Sequence, residues 1–378
     1  MLVVVIVIVL AGALLVLRQR GSGALDVEAF GAVGDGKVDD AAAIQRALDA
    51  LEPGQTLRLA SGRTYRHDQV LTVRVPGTHL TGAATLMAGD EERSALRIEA
   101  DDVHVDDVTL TTPTTTRRWD ADGQMKVLIA GHTGVQLRHV TIRGSAAAGV
   151  YVGSGASDFL LEDVRVIDTR ADGIHITQGS HDGVVRRPVT SGTGDDGVAI
   201  VSYQKDGKPC ARITVDSPTV RGTTGGRGVS VVGGVDVTMT DVTVTRSAAA
   251  GIYVASEGDP YFTTGTRGVS IRGGSVTDAN QDASIDHGAV LVYDGSPGQP
   301  VQDVSITGLL ITGTRGGASR QVGVIASRAG AISGVELSDL TLRGGPAAVF
   351  GTDQPDQGFV LRGWKHDGNP LPDRRGLG

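Results

Sequence analysis

Short apolar stretches separated by small and polar turn residues run through most of the chain. Val, Ile, Leu and Thr alternate with polar residues, as in Val135–Ile142 and Phe159–Val166, and Gly, Asp and Ser residues follow such stretches. This alternation is typical of β-strands that bury one face. The pattern therefore predicts an all-β chain built from short strands.

A tetrapeptide of the form Gly-(Val/Ile)-x-(Val/Ile) recurs in the middle of the chain. It begins at Gly149, Gly173, Gly197, Gly228 and Gly251, at intervals of 24, 24, 31 and 23 residues. A strand-only repeat of this length predicts a parallel β-helix, in which each coil buries its apolar face against the next coil. The alternatives are a β-sandwich and a β-propeller, whose blades are longer, at about 40 residues.

One segment, Asp39–Leu51, has the periodicity of a helix, with Asp40 or the residue before it as the N-cap. Ile44, Leu48 and Leu51 fall at positions i, i+4 and i+7 and so form one apolar face. The first coil of a β-helix exposes a strand edge and an apolar interior. We therefore predict that this helix caps the amino-terminal end of the solenoid.

The amino terminus differs from the rest of the chain. Residues 2–17 are uninterrupted apolar sequence, and Arg18 and Arg20 follow them. We expect residues 1–23 to be a signal peptide or an N-terminal membrane anchor. Residues 24–378 would form one β-helix domain, with coils over roughly 54–350 and a carboxy-terminal tail over 351–378. The expected location is secreted or extracytoplasmic, with membrane attachment through residues 2–17 if the segment is an anchor.

Composition excludes several classes of function. The chain has 35 Lys and Arg residues against 43 Asp and Glu residues, a net charge of −8, and only 3 % aromatic residues. Nucleic-acid binding needs a basic surface or aromatic side chains for stacking, so we expect no nucleic-acid partner. The single cysteine, Cys210, excludes an internal disulfide framework and a Cys-cluster metal site.

Aspartates recur at one position of the repeat. The residue before the repeated glycine is Asp172, then Asp196, then Arg227, and Asp195 adjoins Asp196. Equivalent residues of neighbouring coils lie about 4.8 Å apart, so the three carboxyl groups should share one patch beside Arg227. Their mutual repulsion raises the pKa of at least one of them. A protonated carboxyl beside ionised ones is what glycoside hydrolysis requires.

A structural role for these aspartates is the alternative, because Asp-Gly is a common turn dipeptide and also occurs at Asp182–Gly183. Further polar and aromatic residues fall beside the aspartates in the repeat or in the longer loops that border it. We predict that these residues contact the substrate, with a solvated loop as the alternative for those in the loops: His175, Arg227, Tyr253, Tyr203, Lys205 and Glu257, with Tyr261 as a further part of the cleft wall.

The segment from Asp26 to Asp49 resembles the amino-terminal signature of the pectate lyase/polygalacturonase superfamily. This resemblance implies a right-handed parallel β-helix with an N-terminal capping α-helix. Arg170–Ile176 and Thr193–Ile200 are similar to the Asn-Thr-Asp and Gly-Asp-Asp motifs of polygalacturonase-type glycoside hydrolases.

The resemblance also implies roles for the aspartates. The family residue that matches Asp195 donates a proton, and those that match Asp172 and Asp196 activate water for inversion, without a cofactor. Two family motifs differ here, because Arg227 replaces the His of Gly-His-Gly and Tyr253–Ala255 replaces Arg-Ile-Lys. The family uses that Arg and Lys to bind a uronate carboxylate.

We therefore predict an exported carbohydrate-active enzyme that hydrolyses glycosidic bonds of a polysaccharide, with inversion. Inversion requires donor and base carboxyl groups about 6.5–9.5 Å apart. One alternative is a calcium-dependent polysaccharide lyase or epimerase, in which Arg227 is the base and Asp172, Asp195 and Asp196 hold Ca²⁺. The other is a non-catalytic β-helical scaffold that binds glycans or acts as an adhesin.

Overall fold

The computed structural model describes residues 23–327, 330–354 and 358–376, and their secondary structure is almost entirely β. The one α-helix of this part of the chain is α1 (Ala41–Asp49), and short 3-10 turns occur at Val27–Phe30, Glu91–Arg93, Asp122–Gln124 and Gln204–Asp206. The strands, in chain order, are β1 (Leu25–Asp26), β2 (Asp35–Asp39), β3 (Thr56–Arg58), β4 (Thr64–His67), β5 (Leu71–Val73), β6 (His79–Thr81), β7 (Thr85–Ala88), β8 (Leu96–Ile98), β9 (His104–Asp106), β10 (Thr109–Thr111), β11 (Val127–Ala130), β12 (Gln136–Arg138), β13 (Thr141–Ser145), β14 (Val150–Gly153), β15 (Leu160–Glu162), β16 (Arg165–Thr169), β17 (Ile174–Ile176), β18 (Val184–Arg186), β19 (Val189–Thr193), β20 (Val198–Val201), β21 (Thr214–Asp216), β22 (Thr219–Thr223), β23 (Val229–Val232), β24 (Val235–Thr245), β25 (Ile252–Ser256), β26 (Thr266–Thr277), β27 (Val290–Asp294), β28 (Val301–Thr307), β29 (Leu310–Thr312), β30 (Val322–Ala326), β31 (Ile332–Ser338), β32 (Thr341–Arg343), β33 (Phe350–Thr352), β34 (Phe359–Arg362), β35 (Lys365–His366), β36 (Asn369–Pro370) and β37 (Arg374–Arg375).

These strands stack into three parallel ladders, which confirms the predicted parallel β-helix. Two ladders run side by side and are joined into a 26-stranded sheet by the long strands β24 and β26, which take part in both. The third ladder is a separate sheet of eleven strands, from β5 to β33, and we call it the groove sheet. Among the named strands of the described residues, β36 and β37 pair antiparallel, and they fold back on β35 and β34 at the carboxy-terminal end.

The repeated tetrapeptide forms successive strands of the groove sheet. Val150 pairs with Ile174, which pairs with Val198, and the same register continues into the next two coils, as the repeat predicts. A Cβ atom on Gly173 would lie 2.6 Å from the carbonyl oxygen of Gly197 in the next coil. The repeat therefore keeps glycine because neighbouring coils approach closely there, and a side chain would separate them.

The helix α1 caps the amino-terminal end of the solenoid, as predicted. It begins after Asp40 and is slightly shorter than the predicted segment. Ile44 and Leu48 are buried in the core. The side chain of Gln45 accepts the backbone N–H of Thr72 and donates to the carbonyl of the same residue, each at 2.9 Å. Thr72 lies in β5, the first strand of the groove sheet. The helix α1 therefore binds backbone groups at the exposed edge of that strand and also covers the apolar interior of the first coil.

At the other end, the parallel ladders continue beyond residue 350, into the segment predicted as a carboxy-terminal tail. Strands β34 and β35 pair in parallel with β31 and β32. The predicted signal peptide or anchor lies outside the described residues, apart from residue 23. Within the part of the chain that is described, no helix has the length and apolar character needed to cross a membrane.

Candidate active site

A groove of about 530 Å³ runs over the outer face of the groove sheet, and the three predicted aspartates line it. One carboxylate oxygen from each of Asp172, Asp195 and Asp196 lies within 4.8 Å of the other two. The prediction that these residues share one patch is therefore confirmed. We call them the acidic cluster.

Backbone N–H groups hold the acidic cluster in place along the solenoid axis. Asp172 precedes β17 and Asp196 precedes β20, the next strand of the groove sheet. The N–H of Asp196 donates to Oδ1 of Asp172 at 2.9 Å, and the N–H of Arg227 donates to Oδ1 of Asp196 at 2.6 Å. The carboxylates of Asp172 and Asp196 thus each accept a hydrogen bond from the equivalent residue one coil further on, which fixes their orientation.

Asp196 is the most deeply buried member of the cluster, with 5 % of its side chain exposed. Burial raises the pKa of Asp196 to about 7; the charge of Arg227 opposes this shift, and the charges of Asp195 and Asp172 add to it. The hydroxyl of Ser230 donates to Oδ2 of Asp196. The raised pKa therefore keeps a proton available in the cluster up to near neutral pH, as the grouping of carboxylates predicted.

Asp195 is the member that reaches furthest into the groove, with 29 % of its side chain exposed. Nη1 of Arg118 lies 2.7 Å from its Oδ2. Sequence reasoning missed Arg118, because it comes from the loop between β10 and β11 and not from a repeat position. The adjacent pair Arg117–Arg118, in a Thr-rich stretch without strand alternation, was the available signal.

Arg227 borders the cluster on the next coil, as predicted, and its guanidinium is held on three sides. Nη2 donates to Oε1 of Glu257 at 2.7 Å, and Nη1 lies 3.8 Å from Oδ1 of Asp196. The guanidinium carbon lies 4.4 Å from the ring centre of Tyr253. Burial lowers the pKa of Arg227, but Asp196, Tyr253 and Glu257 together raise it above its usual value. Arg227 therefore stays charged, which argues against its use as a base.

Tyr253 does not contact the groove, contrary to the prediction. Its side chain is 2 % exposed because Arg227 and the ring of His287 cover it. Its hydroxyl donates to Oε1 of Glu257 at 3.0 Å, so it supports the carboxylate that binds Arg227. Glu257 itself lines the groove, as predicted.

Of the remaining predicted residues, the structure places two in the groove and one outside it. His175 and Tyr203 line the groove. Nδ1 of His175 lies 2.8 Å from Oδ2 of Asp172, in contact but not aligned as a hydrogen bond, and its ring stacks on Tyr151. Lys205 is exposed outside the groove, where its ammonium lies 5.1 Å from the ring centre of Tyr203, so its predicted contact with substrate is wrong.

Two loops complete the groove wall. Tyr261, in the loop after β25, lines the groove with 57 % of its surface exposed, as expected of a cleft wall. His287 precedes β27 and lines the groove from the next coil, and it was missed because it lies outside the repeated tetrapeptide. Burial lowers the pKa of His287 to about 4, and the charges of Arg227 and Arg320 add to this shift. The ring is therefore neutral at pH 7.

The acidic cluster is a poor fit for Ca²⁺, although three carboxylates are suitable ligands in kind. Oδ2 of Asp195 is paired with Arg118, both oxygens of Asp196 accept hydrogen bonds, and both oxygens of Asp172 contact nitrogen atoms. A second guanidinium, that of Arg227, lies 3.8 Å from the cluster. Five of the six carboxylate oxygens of the cluster are thus already engaged.

The closest carboxyl oxygens of the cluster are nearer to one another than the carboxyl groups of most inverting glycosidases are. Inverting glycosidases keep donor and base carboxyl groups about 6.5–9.5 Å apart, which leaves room for a water molecule. Here the closest oxygens of the three residues lie within 4.8 Å of one another.

Comparison with known proteins finds one matching family model and several solved structures of similar fold. Residues 24–259 match the family model described as rhamnogalacturonase A/epimerase, pectate lyase-like. None of the curated proteins matches the sequence. Among solved structures, the catalytic unit of a thermostable GH87 α-1,3-glucanase from Streptomyces thermodiastaticus is 19 % identical, with a TM-score of 0.65 over 94 % of this chain and 73 % of that one.

Two further structures share the fold. An exopolygalacturonase from Thermotoga maritima is 14 % identical, with a TM-score of 0.65 and coverage of 94 % of this chain and 95 % of that one. The A-module of the mannuronan C-5 epimerase AlgE6 from Azotobacter vinelandii is 18 % identical, with a TM-score of 0.60 and coverage of 93 % and 100 %. At these identities, the likeness shows the shared β-helix fold.

Proposed function

Because the chain belongs to the rhamnogalacturonase A/epimerase, pectate lyase-like family of carbohydrate-active enzymes, we propose that it hydrolyses glycosidic bonds of a polysaccharide bound in the groove. The observation that carries this proposal is the acidic cluster, which combines one buried carboxyl group of raised pKa with two others within 4.8 Å. Carboxyl groups in such different environments supply both an acid and a base at neutral pH.

Asp195 is the proton donor in this proposal, because it is the most exposed member of the cluster. A protonated Asp195 can accept the N–H of Arg118 on Oδ2 and carry its proton on Oδ1. The burial of Asp196 keeps a proton available in the cluster up to near neutral pH, and in such a coupled cluster that proton can reside on Asp195 as well. Donation to the glycosidic oxygen then breaks its bond to the anomeric carbon.

Asp172 and Asp196 act as the base. Once the proton resides on Asp195, both are ionised, and they accept a proton from the water that attacks the anomeric carbon. The water contributes OH to the anomeric carbon and H⁺ to the cluster, which replaces the proton that Asp195 donated. Arg227 and Glu257 hold the wall of the groove beside this reaction.

Release of reducing ends from a panel of polysaccharides tests the proposal. Hydrolysis predicts new reducing ends that do not depend on added Ca²⁺ and are not reduced by a chelator. Unsaturated products that absorb in the ultraviolet and disappear with a chelator would instead identify a lyase, the alternative in which Arg227 is the base. Direct attack by water inverts the anomeric carbon, so proton NMR of the first product should show inversion, and a retained configuration would contradict the roles given to Asp172 and Asp196.

Glycan binding without turnover would instead indicate a non-catalytic scaffold. In that case Asp172→Asn, Asp195→Asn and Asp196→Asn together should leave binding unchanged, because Asp-Gly would serve only as a turn.

We also propose that the domain acts outside the cytoplasm, with residues 1–23 as its export signal or anchor. The uninterrupted apolar sequence over residues 2–17 supports this. Fractionation of cells that express the full chain with a carboxy-terminal tag tests it. The proposal predicts protein in the medium or membrane fraction, and loss of residues 1–23 should leave it in the cytoplasm.

A further inference from the structure

The groove is lined by an excess of acidic side chains. Four carboxyl groups face it, from the acidic cluster and Glu257, while its cationic lining consists of Arg118 and Arg227 among the described residues. The lining therefore carries a net charge of −2 when all of these groups are ionised, or −1 when the cluster holds one proton.

Both guanidinium groups are already paired with acidic side chains of the same groove. Arg118 lies 2.7 Å from Asp195, and Arg227 donates to Glu257 at 2.7 Å while facing Asp196. A negatively charged sugar that recruited Arg227 would leave the carboxylate of Glu257 without its partner. Breaking that partly buried pair is costly, because one charge is then left uncompensated. The pair of Arg118 and Asp195 is more exposed and contributes less.

Other basic residues near the groove are likewise engaged. Arg320 pairs with Asp286 at 3.4 Å, and Nη2 of Arg170 donates to the carbonyl of Thr115 at 2.6 Å. Lys205 is exposed outside the lining. Within the described part of the chain, the groove thus presents hydroxyl, imidazole and aromatic groups to a sugar, from residues such as Tyr203, His287 and Tyr261.

We infer that the groove takes a neutral polysaccharide and discriminates against polymers of uronic acids. This inference rests on the proposed function, since it concerns the substrate of the same site. Like charges on the groove and a uronate chain repel each other, and the arginines are arranged to balance the enzyme's own carboxylates. Neutral sugars need only hydrogen bonds and stacking, which the lining supplies.

Binding of the purified protein to defined oligosaccharides tests the inference separately from turnover. The probes are neutral gluco-, galacto-, xylo- and manno-oligosaccharides against oligogalacturonate and oligomannuronate of matched length, compared by calorimetry at one ionic strength. We expect at least one neutral series to bind, and both uronates to bind at least about tenfold more weakly. Tighter binding of a uronate, or no binding of any neutral series, would overturn the inference.

The variant Glu257→Gln provides a sharper test, because it removes the carboxylate that neutralises Arg227. We expect it to gain affinity for the oligouronates by about tenfold, with a smaller change for neutral sugars. The control is Glu162→Gln, which removes a carboxylate that pairs with Arg186 and Arg187, each at 3.0 Å, outside the groove lining. Glu162→Gln should change neither the affinity for oligouronates nor the affinity for neutral sugars. An equal gain in oligouronate affinity in the two variants would contradict the inference.

Turnover of the same probes separates the two proposals. Neutral oligosaccharides that bind but are never cleaved would refute hydrolysis and leave the substrate class standing. Uronates that are hydrolysed faster than neutral sugars would support hydrolysis and overturn the inferred substrate class.

Discussion

Two Asp-Gly pairs, Asp182–Gly183 and Asp196–Gly197, have very different surroundings in this molecule. Asp182 lies in a surface turn with a positive φ of 54° and 38 % of its side chain exposed. Its carboxylate accepts a hydrogen bond from Arg212 at 2.7 Å. Asp196 lies at the start of a groove-sheet strand with its side chain buried. The dipeptide is the same, but its neighbours on the adjacent coils differ.

The two environments shift the pKa in opposite directions. Hydrogen bonds from Arg212 and His181 lower the pKa of Asp182, whereas burial raises that of Asp196. The acidic cluster is also set apart by its backbone, since none of its members has a positive φ. Many other aspartates share the left-handed turn conformation of Asp182: Asp102, Asp107, Asp158, Asp163, Asp168, Asp236, Asp241, Asp278, Asp303, Asp339 and Asp367.

The largest expected difference between the two regions is in turnover. Asp195→Asn should lower kcat by about a thousandfold, because it removes a proton donor without changing side-chain size. Asp182→Asn is the matched control and should stay within about twofold of the wild type. Reducing-end release under saturating substrate measures both. Equal activity of the two variants would show that Asp195 in the groove has no catalytic role that Asp182 in the surface turn lacks.

A smaller effect is expected from the arginines that pair with these aspartates. Arg118→Met should lower kcat by about 10- to 100-fold through loss of the orientation of Asp195, with a smaller change in KM. Arg118→Lys should restore part of the loss, which a merely structural role would not require. Arg212→Met, which removes the partner of Asp182, should leave kcat near that of the wild type. Equal losses in the two Met variants would show that Arg118 has no specific role.

The pH dependence of stability should differ in sign between the two regions. The folded-state pKa of Asp196 is raised from 3.8 to about 7, so the folded protein binds its proton more tightly and loses stability as the pH rises across that interval. Asp182 has a lowered pKa, so its contribution is present above its usual pKa and is lost as the pH falls below it.

Thermal unfolding of the two Asn variants between pH 3 and pH 8 measures these slopes. Asp196→Asn should flatten the decline toward neutral pH, and Asp182→Asn should flatten the decline toward acid pH. For each variant, the difference in melting temperature from the wild type is plotted against pH. Slopes of the same sign in the two plots would contradict the environments assigned to Asp196 and Asp182.

The smallest effect is expected at Lys205, which the structure places outside the groove. Lys205→Ala should leave kcat/KM within about twofold of the wild type, as is usual for surface substitutions. Tyr203→Ala, which removes a side chain of the lining, should raise KM more. A larger effect of Lys205→Ala than of Tyr203→Ala would place the substrate on a different surface.

The fold was predictable from the sequence because the same steric requirement recurs in five consecutive coils, at Gly149, Gly173, Gly197, Gly228 and Gly251. Glycine is needed wherever one coil's carbonyl oxygen approaches the next coil, as at Gly173, and this produces the visible repeat. The acidic cluster was predictable for the same reason, since the repeat sets the register of Asp172 and Asp196. The periodicity does not extend to the loops.

The repeat does not predict which loop side chains enter the groove. Arg118 reaches Asp195 across 77 positions of the sequence, and no spacing rule connects the two residues. Tyr253 was misplaced for a related reason. Its register was correct, but the sequence does not show that Arg227 and His287 pack over its ring.

The central claim is that the acidic cluster is where a glycosidic bond is broken, and a crystal structure of Asp195→Asn with a bound neutral oligosaccharide tests it most directly. The account predicts a sugar chain along the groove, with one glycosidic oxygen within hydrogen-bonding distance of the side chain at position 195 and the anomeric carbon on the side of Asp172 and Asp196. An oligosaccharide bound elsewhere on the solenoid, or one whose glycosidic oxygens all lie out of reach of the cluster, would contradict it.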